Sequence, residues 1–162
     1  MQYGWPGIGN ISSDPLCIDA DGPDDLAGTA DDDLRLLPGS PCIDAADNTV
    51  DTDAQSAGVQ ALPEADLDGH ARFVDDPATA DSGVGAPPIV DMGPHEYRPG
   101  DLDHDGDVDL DDHAALAECL SGPDATPPPD CAEEVALQAD LDGDGDVDLG
   151  DFAVFQLAFT PE

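Results

Sequence analysis

Two twelve-residue stretches carry the residue types and spacing for metal chemistry. Asp101-Leu-Asp-His-Asp-Gly-Asp-Val-Asp-Leu-Asp-Asp112 aligns without gaps on Asp140-Leu-Asp-Gly-Asp-Gly-Asp-Val-Asp-Leu-Gly-Asp151, and ten of twelve positions match at an offset of 39. Each stretch has carboxylates at positions 1, 3, 5, 9 and 12 and glycine at position 6. A hard divalent cation requires such a set. Ca²⁺ takes six to eight oxygens at about 2.3–2.6 Å, and alternate side chains of a loop point inward to supply them. The glycine permits the sharp turn, and the position-7 carbonyl adds a backbone oxygen. The candidate ligands are Asp101, Asp103, Asp105, Asp107 through its carbonyl, Asp109 and Asp112, with Gly106 at the turn. In the second copy they are Asp140, Asp142, Asp144, Asp146 through its carbonyl, Asp148 and Asp151, with Gly145. Two Ca²⁺ ions are expected. Mg²⁺ is the weaker candidate because it resists dehydration and rarely takes all-protein cages. The EF-hand pattern ends in Glu, whereas both loops here end in Asp, so the chain must come closer to the ion. Val108 and Val147 are expected to point away from it into a core.

The elements that must position these loops follow from periodicity. Leu110 to Leu120 places Leu116, Cys119 and Leu120 at helical spacing and stops at Ser121-Gly122-Pro123. Leu149 to Phe159 places Phe152, Phe155 and Phe159 on one face, and Cys131 to Ala139 has the pattern of a short third helix. Helices of this length do not stand alone in water, so the two amphipathic faces are expected to share a small core. A boundary falls near Arg98-Pro99-Gly100. Before it lie short β-type runs at Leu34–Leu37, Ala71–Val74 and Pro88–Met92. A weaker repeat, Asp14-Pro15-Leu16-Cys17-Ile18-Asp19-Ala20 against Gly39-Ser40-Pro41-Cys42-Ile43-Asp44-Ala45, has a period near 25, which fits coils of a solenoid. Residues 1–98 therefore read as the last coils and cap of a longer β-solenoid, and residues 99–162 as a small all-α loop-helix duplication.

Composition bounds the function. The 162 residues include 39 acids against three arginines and no lysine, a formal charge of −36. A nucleic-acid binder needs a basic face, and so does a protein held on anionic lipid. Neither can be built here, and no apolar run approaches the ~20 residues that span a bilayer. The amino terminus lacks the basic and apolar regions of a signal peptide, so the chain is either cytosolic or the tail of something longer, and its cysteines favour the second. Four cysteines in two local pairs, 17 with 42 and 119 with 131, point to disulfides and an oxidising compartment. Five carboxylates in one loop repel one another and oppose compaction, so residues 99–162 are expected to be helical with Ca²⁺ and unfolded or molten without it. Asp19 and Asp24 with Asp31–Asp33 form a further acidic group, read as a solvated turn. The four histidines have no nucleophile partner, and proximity of two carboxylates does not discriminate in so acidic a chain.

The doubled loop-helix with Asp at position 12 and a proline-containing linker resembles a type I dockerin, over about 64 residues. That resemblance implies Ca²⁺ on the twelve aspartates above and docking to a cohesin-type domain or cell-surface scaffold. It also implies a secreted setting linked to polysaccharide binding or degradation. The family's recognition positions, the tenth and eleventh of each loop, fall on Leu110-Asp111 and Leu149-Gly150, which are neither a hydroxyl pair nor alike; helix-start packing is the alternative reading of the two leucines. Over residues 8–97, Asp14-Pro15-Leu16, Leu34 to Ala45, Asp66-Leu67-Asp68-Gly69 and Val90-Asp91-Met92-Gly93-Pro94-His95-Glu96-Tyr97 resemble the end of a right-handed parallel β-helix of the choice-of-anchor type. That likeness implies polysaccharide contact through coils this chain lacks. The expected role is a non-catalytic anchoring module. The alternatives are the tail of a β-helix polysaccharide lyase or glycoside hydrolase, and a purely structural acidic extracellular protein.

Overall fold

The computed structural model describes residues 10–49 and 62–160, and the chain divides into two compact units, Met1–Tyr97 and Arg98–Glu162. Unit 1 holds β1 (Cys17–Asp19) and β2 (Asp33–Leu36), and unit 2 holds α1 (Leu110–Cys119), α2 (Glu133–Ala139) and α3 (Leu149–Ala158).

The β-solenoid expected for residues 1–98 is not what the described residues form. The two strands pair antiparallel, Cys17 opposite Leu36 and Asp19 opposite Asp33, whereas successive coils of a parallel helix would pair their strands in parallel. Local chemistry explains the difference. Between the strands, Asp32 Oδ2 accepts from the Gly28 and Thr29 amides and Leu26 N–H bonds Asp21 O, turning the chain back on itself. At the second repeat copy Asp44 has φ +50°, a left-handed conformation that no strand continues through. The runs Ala71–Val74 and Pro88–Met92 likewise form no strand. Ala71 makes one isolated bridge to Ala65, and residues 84–92 bond instead to 42–48, Met92 N to Cys42 O, Ala46 N to Val90 O and Asn48 N to Val84 O. Unit 1 is thus held by turns and single backbone bonds around one small apolar group, Leu36, Cys42 and Ile43 with Cys17, Met92 and Tyr97 against them; Ile89 and Val90 are buried as well. Cys17 and Cys42 are free thiols, not the expected disulfide.

Unit 2 buries Leu102, Val108, Leu116, Cys119, Ala139, Leu141, Val147 and Phe155 together. Val108 and Val147 do point into that core, at 5% and 1% exposure. Cys119 and Cys131 are bonded, tying the end of α1 to the start of the segment leading into α2. The two halves close on each other reciprocally. Thr160, just past α3, donates its amide to Val108 O of the first loop (2.9 Å), and Ser121, just past α1, donates to Val147 O of the second (2.9 Å). Val147 and Ser121 are the 39-residue counterparts of Val108 and Thr160. Each loop is therefore clamped by the exit of the other half's helix, and neither half is complete alone.

Candidate metal centre

The two helices that follow the loops, α1 and α3, each start in a loop aspartate. Asp109 is the N-cap of α1 and Asp148 the N-cap of α3, and both carry a capping box with the aspartate three residues on. Asp112 Oδ2 accepts from Asp109 N (2.8 Å) and Asp151 Oδ2 from Asp148 N (2.7 Å). The same carboxylates reach back to the loop start: Asp112 Oδ1 accepts from Leu102 N (2.6 Å) and Asp103 N (3.1 Å), and Asp151 Oδ1 from Asp142 N (3.1 Å). Both are fully buried. Position 12 thus joins the first residues of the loop to the first turn of the helix. That explains why the shorter Asp is used there: the backbone is already close. Loop spacing by itself points positions 9 and 12 at metal alone, although an acceptor at the cap and an acid at N3 is a readable signal of this capping role. A carboxylate has about four acceptor sites, so capping and ligation coexist.

The turns are shaped by the same side chains. Asp101 Oδ2 accepts from Gly106 N, and Asp140 uses its two oxygens on Asp144 N and Gly145 N. Gly106 and Gly145 have φ +97° and +98°, and position 4 is also left-handed, φ +62° at His104 and +72° at Gly143. The second copy's glycine takes that conformation without the strain His104 accepts.

Four triads of carboxylates result, each with one oxygen per residue within 4.8 Å of the others: Asp101, Asp103 and Asp112; Asp107, Asp109 and Asp112; Asp140, Asp142 and Asp151; Asp146, Asp148 and Asp151. Two oxygens bound to one Ca²⁺ at 2.3–2.6 Å lie at most about 5.2 Å apart, so each triad fits within a single coordination sphere. Asp105 and Asp144 are not drawn into these groups. They are exposed, and their Oδ1 atoms accept from Asp107 N and Asp146 N two residues on. Asp107 and Asp146, expected to give only their carbonyls, bring side chains as well.

The residues present fit a cation by a further test. Asp101 Oδ1 and Asp146 Oδ1 are buried and accept no hydrogen bond, a cost of roughly 1–3 kcal/mol for a polar group and more for a charged one. Burial, then Asp112, push the Asp101 carboxyl up to about 6 against the opposing pull of His104 and Arg98. Burial leads the upward shifts at Asp103, Asp140 and Asp142, with Asp112 or Asp151 adding to each. Like charges held together without a counter-charge leave their carboxyls less acidic, and a divalent cation removes that penalty.

The acidic group at Asp19–Asp24 and Asp31–Asp33 behaves as the solvated turn it was read to be: Thr29 bonds Asp31 and Asp32, and Asp33 pairs with Arg35 at 3.1 Å. Leu110 and Leu149 are 69% and 76% exposed, so helix-start packing is not their role. No family model, characterised protein or solved structure matches the chain.

Proposed function

We propose that Arg98–Glu162 is a Ca²⁺-dependent docking module of the dockerin kind. It binds two ions and attaches the chain to a cohesin-type protein domain or cell-surface scaffold in a secreted setting. The role of this chain is attachment, in the service of polysaccharide binding or degradation by the protein that carries it. The observation that carries the reading is the pair of buried, unpartnered oxygens on Asp101 and Asp146, each set in a carboxylate triad at the start of a helix. Ions there would lock loop to helix, and the reciprocal Val108–Thr160 and Val147–Ser121 bonds would pass that order from one half to the other.

A surface for the partner lies next to the cages. Leu110, Phe152 and Phe159 line a groove of about 240 Å³ with His113, Phe155 and Gln156. An exposed leucine at the head of α1 and of α3 is costly to leave in water and serves naturally as an apolar anchor. Calorimetric titration of the chelator-treated chain is expected to give two Ca²⁺ per unit 2, and cohesin capture is expected in Ca²⁺ and not in EGTA. Leu110→Glu with Leu149→Glu should cut that capture at least tenfold and change stability by less than about 0.5 kcal/mol, because both sites are exposed. No heat from the loops, or capture indifferent to EGTA, sinks the proposal.

A further inference from the structure

Unit 1 contains a carboxylate group that no spacing pattern reveals. Asp44, Asp75 and Asp81 each bring one oxygen within 4.8 Å of the other two, although 31 and 37 residues separate the second and third from the first. Asp75 and Asp81 are exposed, and Asp44 is completely buried. Both oxygens of Asp44 lack a hydrogen-bond partner. An acidic cluster alone signifies little, but a fully buried carboxyl with two bare oxygens, one of them beside two other carboxylates, must either keep a proton or take a counter-charge, and the two water-exposed acids that converge on it favour the counter-charge. The charges that bear most on Asp44 are those of Asp91, Asp75 and Asp76, all acidic, and the backbone amide of Asp76, outside hydrogen-bond geometry, offsets them only in part.

The backbone is built to hold this arrangement. Asp44 N donates to Asp91 Oδ1 (2.8 Å), and Asp44 O accepts from Ser82 N (2.9 Å) and Gly83 N (3.0 Å). The second contact brings the segment carrying Asp81 against Asp44. It requires glycine at 83, because a Cβ there would stand 2.0 Å from Ala46 O and 2.5 Å from the Ile89 side chain. The neighbouring Asp76 is committed elsewhere: its oxygens take Ala78 N and Thr79 Oγ1 and close a turn. That turn leaves Asp75 facing the cluster. Asp44 itself sits at φ +50°, a conformation Asp tolerates better than most residues.

We infer that Asp44, Asp75 and Asp81 form a third divalent-cation site, of Ca²⁺ type, which fastens the Asp75–Asp81 segment to the buried turn at Asp44. All three donors are hard oxygens, which suits Ca²⁺ rather than a thiophilic or imidazole-seeking metal. Two of the three ligands are open to water, so solvent completes the shell and saturation is expected at about 1 mM, in the range of extracellular modules. The site is independent of the two helical loops.

The test counts ions on the full chain by equilibrium dialysis against Ca²⁺ with elemental analysis. It compares the natural chain with Asp75→Asn/Asp81→Asn, both exposed positions whose substitution leaves folding intact. The variant is expected to bind one ion fewer. Because the difference is read and not the total, a failure of the helical loops (one ion against none) remains distinct from a failure here. In parallel, Ca²⁺ should shift the Asp44, Ser82 and Gly83 amide resonances of the natural chain and leave them still in the variant. Asp44→Asn provides a second variant with the same expected loss. Equal counts in natural chain and variants, amides that do not move, or occupancy only above about 10 mM would overturn the site.

Discussion

Glu96 is the most strongly raised of three buried acids, with Asp44 and Asp91, that set the pH response of unit 1. It is 7% exposed, its oxygens accept from Val74 N (3.4 Å) and Asp91 N (3.2 Å), and burial followed by the charge of Asp91 raises it from 4.5 to about 8. The folded value lies above the unfolded one, so the folded state holds the extra proton. The stability this gives is fully present below about 4.5 and is lost as pH rises through about 8. Protection factors of the Met92 and Tyr97 amides, measured in chelator, are expected to fall from pH 5 to pH 9. Glu96→Gln should flatten that slope, which is worth roughly a few kcal/mol; an unchanged slope would remove Glu96 as its source. Not all of this was legible beforehand. Glu96 stood in a β-helix-like stretch, and nothing in its neighbours announces that Val74 and Asp91 would close over it.

At the scale of elements, the second unit was far more readable than the first. Twelve-residue loops with acids at alternate positions, followed by apolar residues at helical spacing, announce a loop and a helix, because the contacts that shape the turn and cap the helix are local, even though the helices need their shared core to persist. Asp109, Asp112, Asp148 and Asp151 belong to such local contacts. The β-solenoid reading failed for the opposite reason. A period near 25 licenses stacked coils only if the chain between copies runs on, and here Asp32 turns it back while Asp44, at φ +50°, keeps the second repeat copy from running as a strand. The Cys119–Cys131 bond is the element-level staple of unit 2. It closes a 12-residue separation, and on the chain-entropy account such a loop stabilises by ~3 kcal/mol. Cys119→Ser/Cys131→Ser should lower the melting free energy of unit 2 by about that amount with Ca²⁺ present. An unchanged melt would mean that the metal and the core make the bond redundant.

For the molecule as a whole, charge is the dominant fact. A net charge of −36 on 162 residues opposes any compact state, and neutral salt only screens it, with a Debye length of about 10 Å at 0.1 M. Ca²⁺ held at the proposed sites would act differently, because it would be fixed where the carboxylates converge. At constant ionic strength, about 1 mM Ca²⁺ is expected to reduce the radius of gyration by X-ray scattering, and equal Mg²⁺ to reduce it less. Equal contraction with both ions would point to screening alone.

What the amino-acid sequence determined by itself is the local chemistry: the excess of acid, the two repeated loops, the helices they lead into and the apolar face of each. These follow from residues within a few positions of one another, where spacing is geometry. The tertiary structure alone decided the reciprocal closure of the two halves, the free Cys17 and Cys42, the exposure of Leu110 and Leu149, and the meeting of Asp44 with Asp75 and Asp81. Those depend on which turns bring distant backbone together, and a turn such as Asp44 or Gly83 acts through neighbours that no short window of sequence contains.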